Sequence, residues 1–427
     1  MRWFLAGHRP ESRPSLADPR VPGALSRFRI LDLSRVLAGP SCTQLLADLG
    51  ADVVKIERPG LGDDTRGWGP PYLRDSAGDD TSEAGYYLSA NRGKRSVAVD
   101  IKTAQGQEVI RELALCSDVV VENFKVGGLG KYQLDYASLK NGHPELIYCS
   151  ITGFGQTGPD ASRAGYDFMI QGTGGLMSIT GERDGVPGAG PQKVGVAMAD
   201  LVTGLYAASA IQAALLSRES SGKGQYIDMA LLDCQVAVLA NQAMNCMVSG
   251  QVPIRSGNAH PNVVPYQVFA SSDGHIIIAI GNDSQFRRFC ELTEEPALIT
   301  DDRFSTNAGR VRYRETLLPL IENIIRQRPS ADWAEELDAA GIPWGPINTI
   351  DKVLELPQVH HRGMRVPMAH PLSECFEAVG SPLKLTDTPP VYDRPPPLLG
   401  EHTVEVLEGL LGYDNERIEG LRRDGVI

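Results

Sequence analysis

The sequence predicts an α/β protein: a large domain whose parallel sheet draws on both ends of the chain, plus a smaller α+β domain. Three observations carry this. From Phe28 to Thr152, short apolar strand segments alternate with helical ones, the pattern of a parallel sheet covered by helices on its faces. Near Gly257 the pattern changes to a hairpin, with apolar runs either side of Asp273-Gly274. After Gly341 comes a proline-rich stretch, "DTPPVYDRPPPLLGEHT", and then a terminal helix that has to pack back on the first domain.

Taken in order, "FRILDLS" reads as a buried strand, "GPSCTQLLADLG" as a short helix ending at Gly50, and "ADVVKIE" and "SVAVD" as two more strands. "TAQGQEVIRELALC" has helical spacing at Val109, Ile110, Leu113 and Cys116. "DVVVEN" and "LIYCSIT" are strands, with the helical piece "DYASLKNG" between them. Leu201, Leu205, Ala208, Ile211 and Leu215 mark a helix from Leu201 to Arg218, closed by Gly222. "QYIDMA" is a strand, and "LLDCQVAVLANQAMNCMVSG" reads as one long apolar helix. These elements predict four regions: an extension over 1–27, the large domain over 28–256, the small domain over 257–341, and a linker and return over 342–427.

Bulk properties narrow the function. A net charge of -12 argues against nucleic acid or an anionic membrane as partner. The longest apolar stretches, such as Gln235 to Ala240, are far shorter than a membrane span. Seven cysteines with no CxxC point to a reducing compartment without a disulfide framework or zinc site. There is no HExxH, and His360 and His361 are adjacent, so they point apart; no metal is expected. Residues 1–27 hold five arginines and no periodic apolar pattern. They read as a disordered or targeting extension. The expected location is the cytoplasm, with the mitochondrial matrix as the alternative that the arginines suggest and Glu11 and Asp18 weaken.

Three features bear on chemistry. "GFGQTG", Gly153–Gly158, matches GxGxxG, but Pro159 follows it and Gly165 and Gly172 interrupt any helix, so a nicotinamide site is not expected. Arg58, Arg66, Arg92, Lys94, Arg95 and Lys102 cluster at strand mouths. They form either a phosphate-binding patch or a set of surface charges paired with Asp63 and Asp64. Asp200, in "GVAMADLVTG", has no Lys or Arg within six positions on either side. It is either the cap of the following helix or a reactive carboxylate kept in poor solvent. Asp228 and Asp233 are rival carboxylates in a strand and at a helix start.

Several ordered stretches then make a family resemblance: "LDLSRVLAGPSCTQLLADLGADVVKIERPGLGDDTRGW", "NRGKRSVAVDIK", "DVVVENF", "LIYCSITGFGQTGP", "GYD", "GVAMADLVTG" and "PPPLLGEHT". From Phe28 to the C-terminus the chain resembles the family III CoA-transferases. The resemblance implies a Rossmann-like large domain, an interlocked homodimer, and CoA and acyl-CoA as substrates with no permanently bound cofactor. It implies Asp200 as the nucleophile. It places CoA at Leu37, Ala38, Arg58, Val99 to Lys102, Asn123, Phe124 and Lys125. Lys131, where the family usually has Arg, and Tyr166 complete that set.

Two departures sharpen the substrate class. The run of glycines that closes over the aspartate in formate-type members is missing from "SGNAHPNVVPY", and the "GHD" of related racemases is "GYD" here. Tyrosine, with a reference pKa of about 10, is a poor proton shuttle near neutral pH. The expected reaction is transfer of CoA from an acyl-CoA such as succinyl-CoA to a dicarboxylic acid such as glutarate, through an aspartyl-CoA thioester. An oxalate- or formate-type transferase and a racemase of the same fold are the alternatives. Lys193, Arg255 and His260 are candidate anchors for the second carboxylate. Backbone amides of "GFGQTG" or "SGNAH" are candidate oxyanion donors.

Overall fold

The computed structural model describes residues 23–427, which form two compact units. The first comprises the described residues up to Gly175, Gly195–Ala243 and Leu354–Ile427; the second comprises Leu176–Val194 and Met244–Val353.

The first unit is built on six strands, all parallel. Their spatial order is Lys94–Ala98, Asp52–Glu57, Arg29–Asp32, Val119–Glu122, Ile147–Thr152, Tyr226–Ala230. Counted along the chain within this sheet the order is third, second, first, fourth, fifth, sixth, that of a dinucleotide-binding fold. Near-continuous β-branched runs such as Val119–Val121 suit a sheet buried on both faces. On one face Ile30, Val53, Val121 and Cys149 pack against helices Ala38–Asp48 and Met198–Ser221. On the other, Leu31, Val54 and Val120 meet helix Ala104–Leu115 and the terminal helices Thr403–Leu411 and Asn415–Arg423, so the C-terminus does return to the first sheet. Helix Met198–Ser221 is long and apolar enough to cross a membrane, but half of its apolar window lies inside the protein, as a core helix does.

The second unit carries the predicted hairpin, Tyr266–Ala270 against His275–Ala279, with Trp344–Pro346 as a third antiparallel strand. Phe269, Ile276, Ile278, Phe289, Ile321 and Trp333 form its core.

Three boundaries differ from the sequence reading. Gly23–Arg27, expected in the extension, form a turn docked on the first unit: the Leu25 N–H donates to the Leu49 carbonyl at 2.8 Å, and Gly23 lies flat on the Leu49–Gly50 turn, where a Cβ would sit 2.6 Å from the Leu49 oxygen. The remainder of that expectation, 1–22, lies outside the described residues. The second unit is wider than 257–341, because 176–194 joins it through pairings such as Gly257 N to Gly181 O and Arg255 Nε to Glu182 O. The long apolar helix after Ala230 is two helices, Leu231–Val238 and Ala240–Ser249, separated where Ala240 takes a φ of 43°.

Candidate active site

Strand order reverses between Arg29–Asp32 and Val119–Glu122, and such a switch point opens a crevice at the carboxyl ends of the strands. Two cavities lie there, of about 480 Å³ and about 170 Å³, and they share Arg35, Asp64 and Phe124. The larger is lined by Arg58, Val99 and Lys102. The smaller is lined by Leu37, Ala38, Asn123, Lys125, Tyr166 and Asp200. One groove therefore gathers Asp200 and every expected CoA-binding residue except one. Lys131 lies on the short turn Gly130–Tyr132, outside both cavities, with its ammonium 4.6 Å from the Tyr132 ring.

The basic cluster divides in two. Arg66 grips Glu57 through two bonds of 2.8 Å and reaches Glu83 at 2.9 Å. Arg92 is bidentate on Asp48, Lys94 pairs with Asp32 at 3.1 Å, and Arg95 pairs with Asp52. All four cations are buried. They are neither phosphate ligands nor solvated surface charges: their partners are carboxylates on neighbouring strands and helices, buried for Arg66, Arg92 and Lys94 and the half-buried Asp52 for Arg95, not Asp63 or Asp64. Lys94, wholly out of water, is pulled down to about 8 by burial. Arg58 and Lys102 stay exposed at the mouth of the larger cavity and remain available to a ligand.

Asp200 is not a helix cap. Its helix starts at Met198, so Asp200 lies inside the first turn. The acceptor comes instead from Asp167 of the "GYD" triplet, whose Oδ1 takes the Ala199 N–H at 2.8 Å and the Asp200 N–H at 3.4 Å. Gln171 Nε2 holds the other oxygen at 2.8 Å. The Asp200 residue is only 8% exposed. Burial first, and then the Asp167 charge, push its carboxyl up to about 7. The dipole of the helix start acts the other way and favours the ionised form. Helix Ala38–Asp48 runs close by: a Cβ on Gly204 would lie 2.4 Å from Ser41 Oγ and 2.8 Å from the Ala38 carbonyl. Leu37, the cap residue of that helix, makes no side-chain cap bond; Pro40 has no N–H and the Ser41 N–H donates to the Leu37 carbonyl at 2.8 Å, so Ala38, which lines the Asp200 cleft, is the residue whose amide the helix start offers there.

The "GFGQTG" loop has another task. Gly153 crosses Gly165 so closely that a Cβ on either would meet the other's Cα within about 2.5 Å, which shapes the cleft wall. Two of its amides are already engaged, Gly155 N on Thr152 Oγ1 and Gln156 N on Asp228. Asp228 is thereby a loop anchor, and Asp233 stands in the first turn of helix Leu231–Val238. "SGNAH" and the three anchor candidates belong to the second unit. There Arg255 pairs with Asp184, His260 packs against Tyr266, and Lys193 Nζ meets the Val194 carbonyl at 3.3 Å.

Two side chains escaped sequence reasoning. Arg163 lines the Asp200 cleft, 4.6 Å over the Phe154 ring, and a lone cation in "ASRAGYD" was the available signal. Burial, and then the charges of Asp200 and Asp167, raise the Tyr86 phenol. Nothing in "AGYYLS" marks it.

A buried carboxylate at the end of a cation-mouthed groove suits acyl chemistry on a long anionic thioester. A model of CoA-transferase family III matches residues 25–403. The chain belongs to CoA-transferase family III. It is 50% identical to a succinate–glutarate CoA-transferase of Agrobacterium fabrum over 92% of this chain and 97% of that one. It is 42% identical to the human succinyl-CoA:glutarate CoA-transferase, over 98% of this chain and 92% of that one. The crystal structure of a CAIB/BAIF family protein from Brucella suis has 49% identity and a TM-score of 0.79, covering 91% of this chain and all of that one. The enzyme is thus a CoA-transferase whose substrates are an acyl-CoA and a carboxylate.

Proposed function

We propose that the enzyme moves CoA from succinyl-CoA to glutarate or a similar dicarboxylate, with Asp200 as the covalent carrier. The observation that carries this is a carboxylate, buried and without a cation partner, in the cleft that continues the Arg58–Lys102 groove. The two relatives named for succinate and glutarate supply the substrate class.

The ionised Asp200 carboxylate attacks the thioester carbonyl, and the C–S bond breaks to give a mixed anhydride and CoA thiolate. The thiolate attacks the aspartyl carbonyl of that anhydride, releasing succinate and leaving an aspartyl-CoA thioester. The acceptor carboxylate attacks this thioester and expels the CoA thiolate, giving a second mixed anhydride; the thiolate attacks the acceptor's carbonyl in that anhydride, and Asp200 leaves as the free carboxylate. No proton moves, so no histidine partner is needed. The Ala38 N–H, the first amide of helix Ala38–Asp48, is an oxyanion donor in this reading. Arg58 and Lys102 hold phosphates of CoA. A homodimer belongs to the same proposal, supported by the exposed apolar residues Leu205 and Leu216 on helix Met198–Ser221.

Incubation with succinyl-CoA followed by hydroxylamine should convert Asp200 to a hydroxamate detectable by peptide mass. Exchange at the wild-type rate in Asp200→Ala would sink the mechanism. Assay of a panel of acids separates glutarate from oxalate or formate acceptors. Solvent deuterium at the α-carbon of a branched acyl-CoA would instead indicate racemisation.

A further inference from the structure

The loop between strand Arg29–Asp32 and helix Ala38–Asp48 is held by side chains from three other places. The Lys55 ammonium donates to the Ser34 carbonyl at 2.8 Å. The Asn123 amide grips Arg35 on both sides, accepting from its N–H at 3.0 Å and donating to its carbonyl at 2.7 Å. The Val36 N–H donates to the two carboxylate oxygens of Asp63, at 3.2 and 3.3 Å.

Val36 needs that grip. Its φ is 72°, in the left-handed region, where a β-branched residue is a genuine outlier and persists only when its surroundings impose it. Asp63 is itself fixed. Its carboxylate meets Lys55 Nζ at 2.9 Å with both side chains fully buried, and it accepts from Thr65 N at 3.0 Å and Thr65 Oγ1 at 2.8 Å. One residue beyond Val36 the chain reaches Leu37 and Ala38, which line the Asp200 cleft.

We infer that Asp63 is a positioning residue for the transfer step: through the Val36 N–H it holds the strained turn that aims the Ala38 N–H, the first amide of helix Ala38–Asp48, at the thioester carbonyl over Asp200. Its carboxylate is fully buried beneath the groove, so its effect passes through the loop. The inference rests on the reading of Asp200 as the nucleophile. An oxyanion donor matters most in the transition state, so losing its aim lowers kcat and leaves KM nearly untouched.

The test compares Lys55→Met/Asp63→Asn with Lys55→Met/Asp63→Leu. Both pairs remove the buried charges, and Asn and Leu have similar shapes, but only Asn offers Val36 an acceptor. The Leu pair should show kcat about 10- to 100-fold below the Asn pair, with the KM for succinyl-CoA changed by less than about threefold. Adding Val36→Gly should recover most of that loss, because glycine adopts the left-handed turn freely. Equal kcat in the two pairs, or a Leu pair that Val36→Gly does not rescue, overturns the inference. A purely structural Asp63 would lower the melting temperature without this rescue. If the Leu pair does not fold, Asp63→Ala in the Lys55→Met background takes its place under the same outcomes. Succinyl-CoA labelled in its CoA part separates the two readings. No labelled Asp200 adduct in the wild type removes the nucleophile assignment. An adduct that forms in the wild type and equally fast in the Leu pair removes only the role of Asp63.

Discussion

The two ends of the groove treat charge in opposite ways. Beneath the larger cavity Lys55, Glu57, Asp63, Arg66 and Glu83 are all buried, and each meets an opposite charge within 3 Å. Lys55 and its other partners hold the Asp63 carboxyl down at about 2. At the other end Asp200 is nearly as dry, yet the charge beside it, Asp167, has the same sign. Buried pairs hold shape; an uncompensated buried carboxylate weakens the fold and is worth keeping only for chemistry. The sharpest way to break this contrast is Asp200→Asn. CoA exchange should fall by at least about a thousandfold, while resistance to urea rises. The unfolded chain loses the Asp200 proton near the ordinary carboxylate value of 3.8, whereas the folded one keeps it to about 7. The native state thus binds more protons across that window, and this group's contribution to stability falls as pH rises through it. Removing the charge should stabilise the protein by up to about 4 kcal/mol above pH 7. Unchanged or lower urea resistance in Asp200→Asn would show that the site is not held against the fold.

The paired end predicts the reverse. Arg66→Met strands Glu57 and Glu83 without their cation and should cost about 3–5 kcal/mol in denaturant titration. Arg58→Ala, at the exposed mouth of the same cavity, should leave the melting temperature where it was. It should raise the KM for succinyl-CoA about tenfold, the effect of losing roughly 1.4 kcal/mol of phosphate contact. If the two substitutions behaved alike, the division into structural and ligand-facing cations would fail.

Legibility followed sequence distance. The parallel sheet was readable because strands buried on both faces are apolar runs, as in Val119–Val121. Asp200 stood out as an acid in an apolar stretch, and the quoted motifs identified the family. The fate of the basic cluster was not readable, because the partners are remote: Asp48 for Arg92, Asp32 for Lys94, Asp52 and Glu405 for Arg95. A lone Arg in a motif looks the same whether it meets solvent, phosphate or a buried carboxylate. The helix start, expected at Leu201 and found at Met198, was misplaced for the same reason. A local reading gives the helix start to Asp200, but the acceptor arrives from Asp167 in another loop. The excursion of 176–194 into the second unit rests on pairings with Arg255 and Gly257 that no local pattern announces.

Asp167 also yields the finest test of the contrast, because it does two things that one substitution separates. As an acceptor it anchors the helix start through the Ala199 N–H. As a charge it is the second cause, after burial, of the raised Asp200 carboxyl. Asp167→Asn keeps an oxygen for the amide and deletes the charge. In the wild type, kcat/KM should fall about tenfold per unit as pH drops below about 7, since only the ionised Asp200 attacks. In Asp167→Asn that midpoint should move to lower pH, but only part of the way back to 3.8, because burial remains. At pH 6 the variant would then outperform its own value expected from the wild-type profile. A midpoint that stays put in a folded variant would assign the whole shift to desolvation and leave Asp167 as a helix anchor alone.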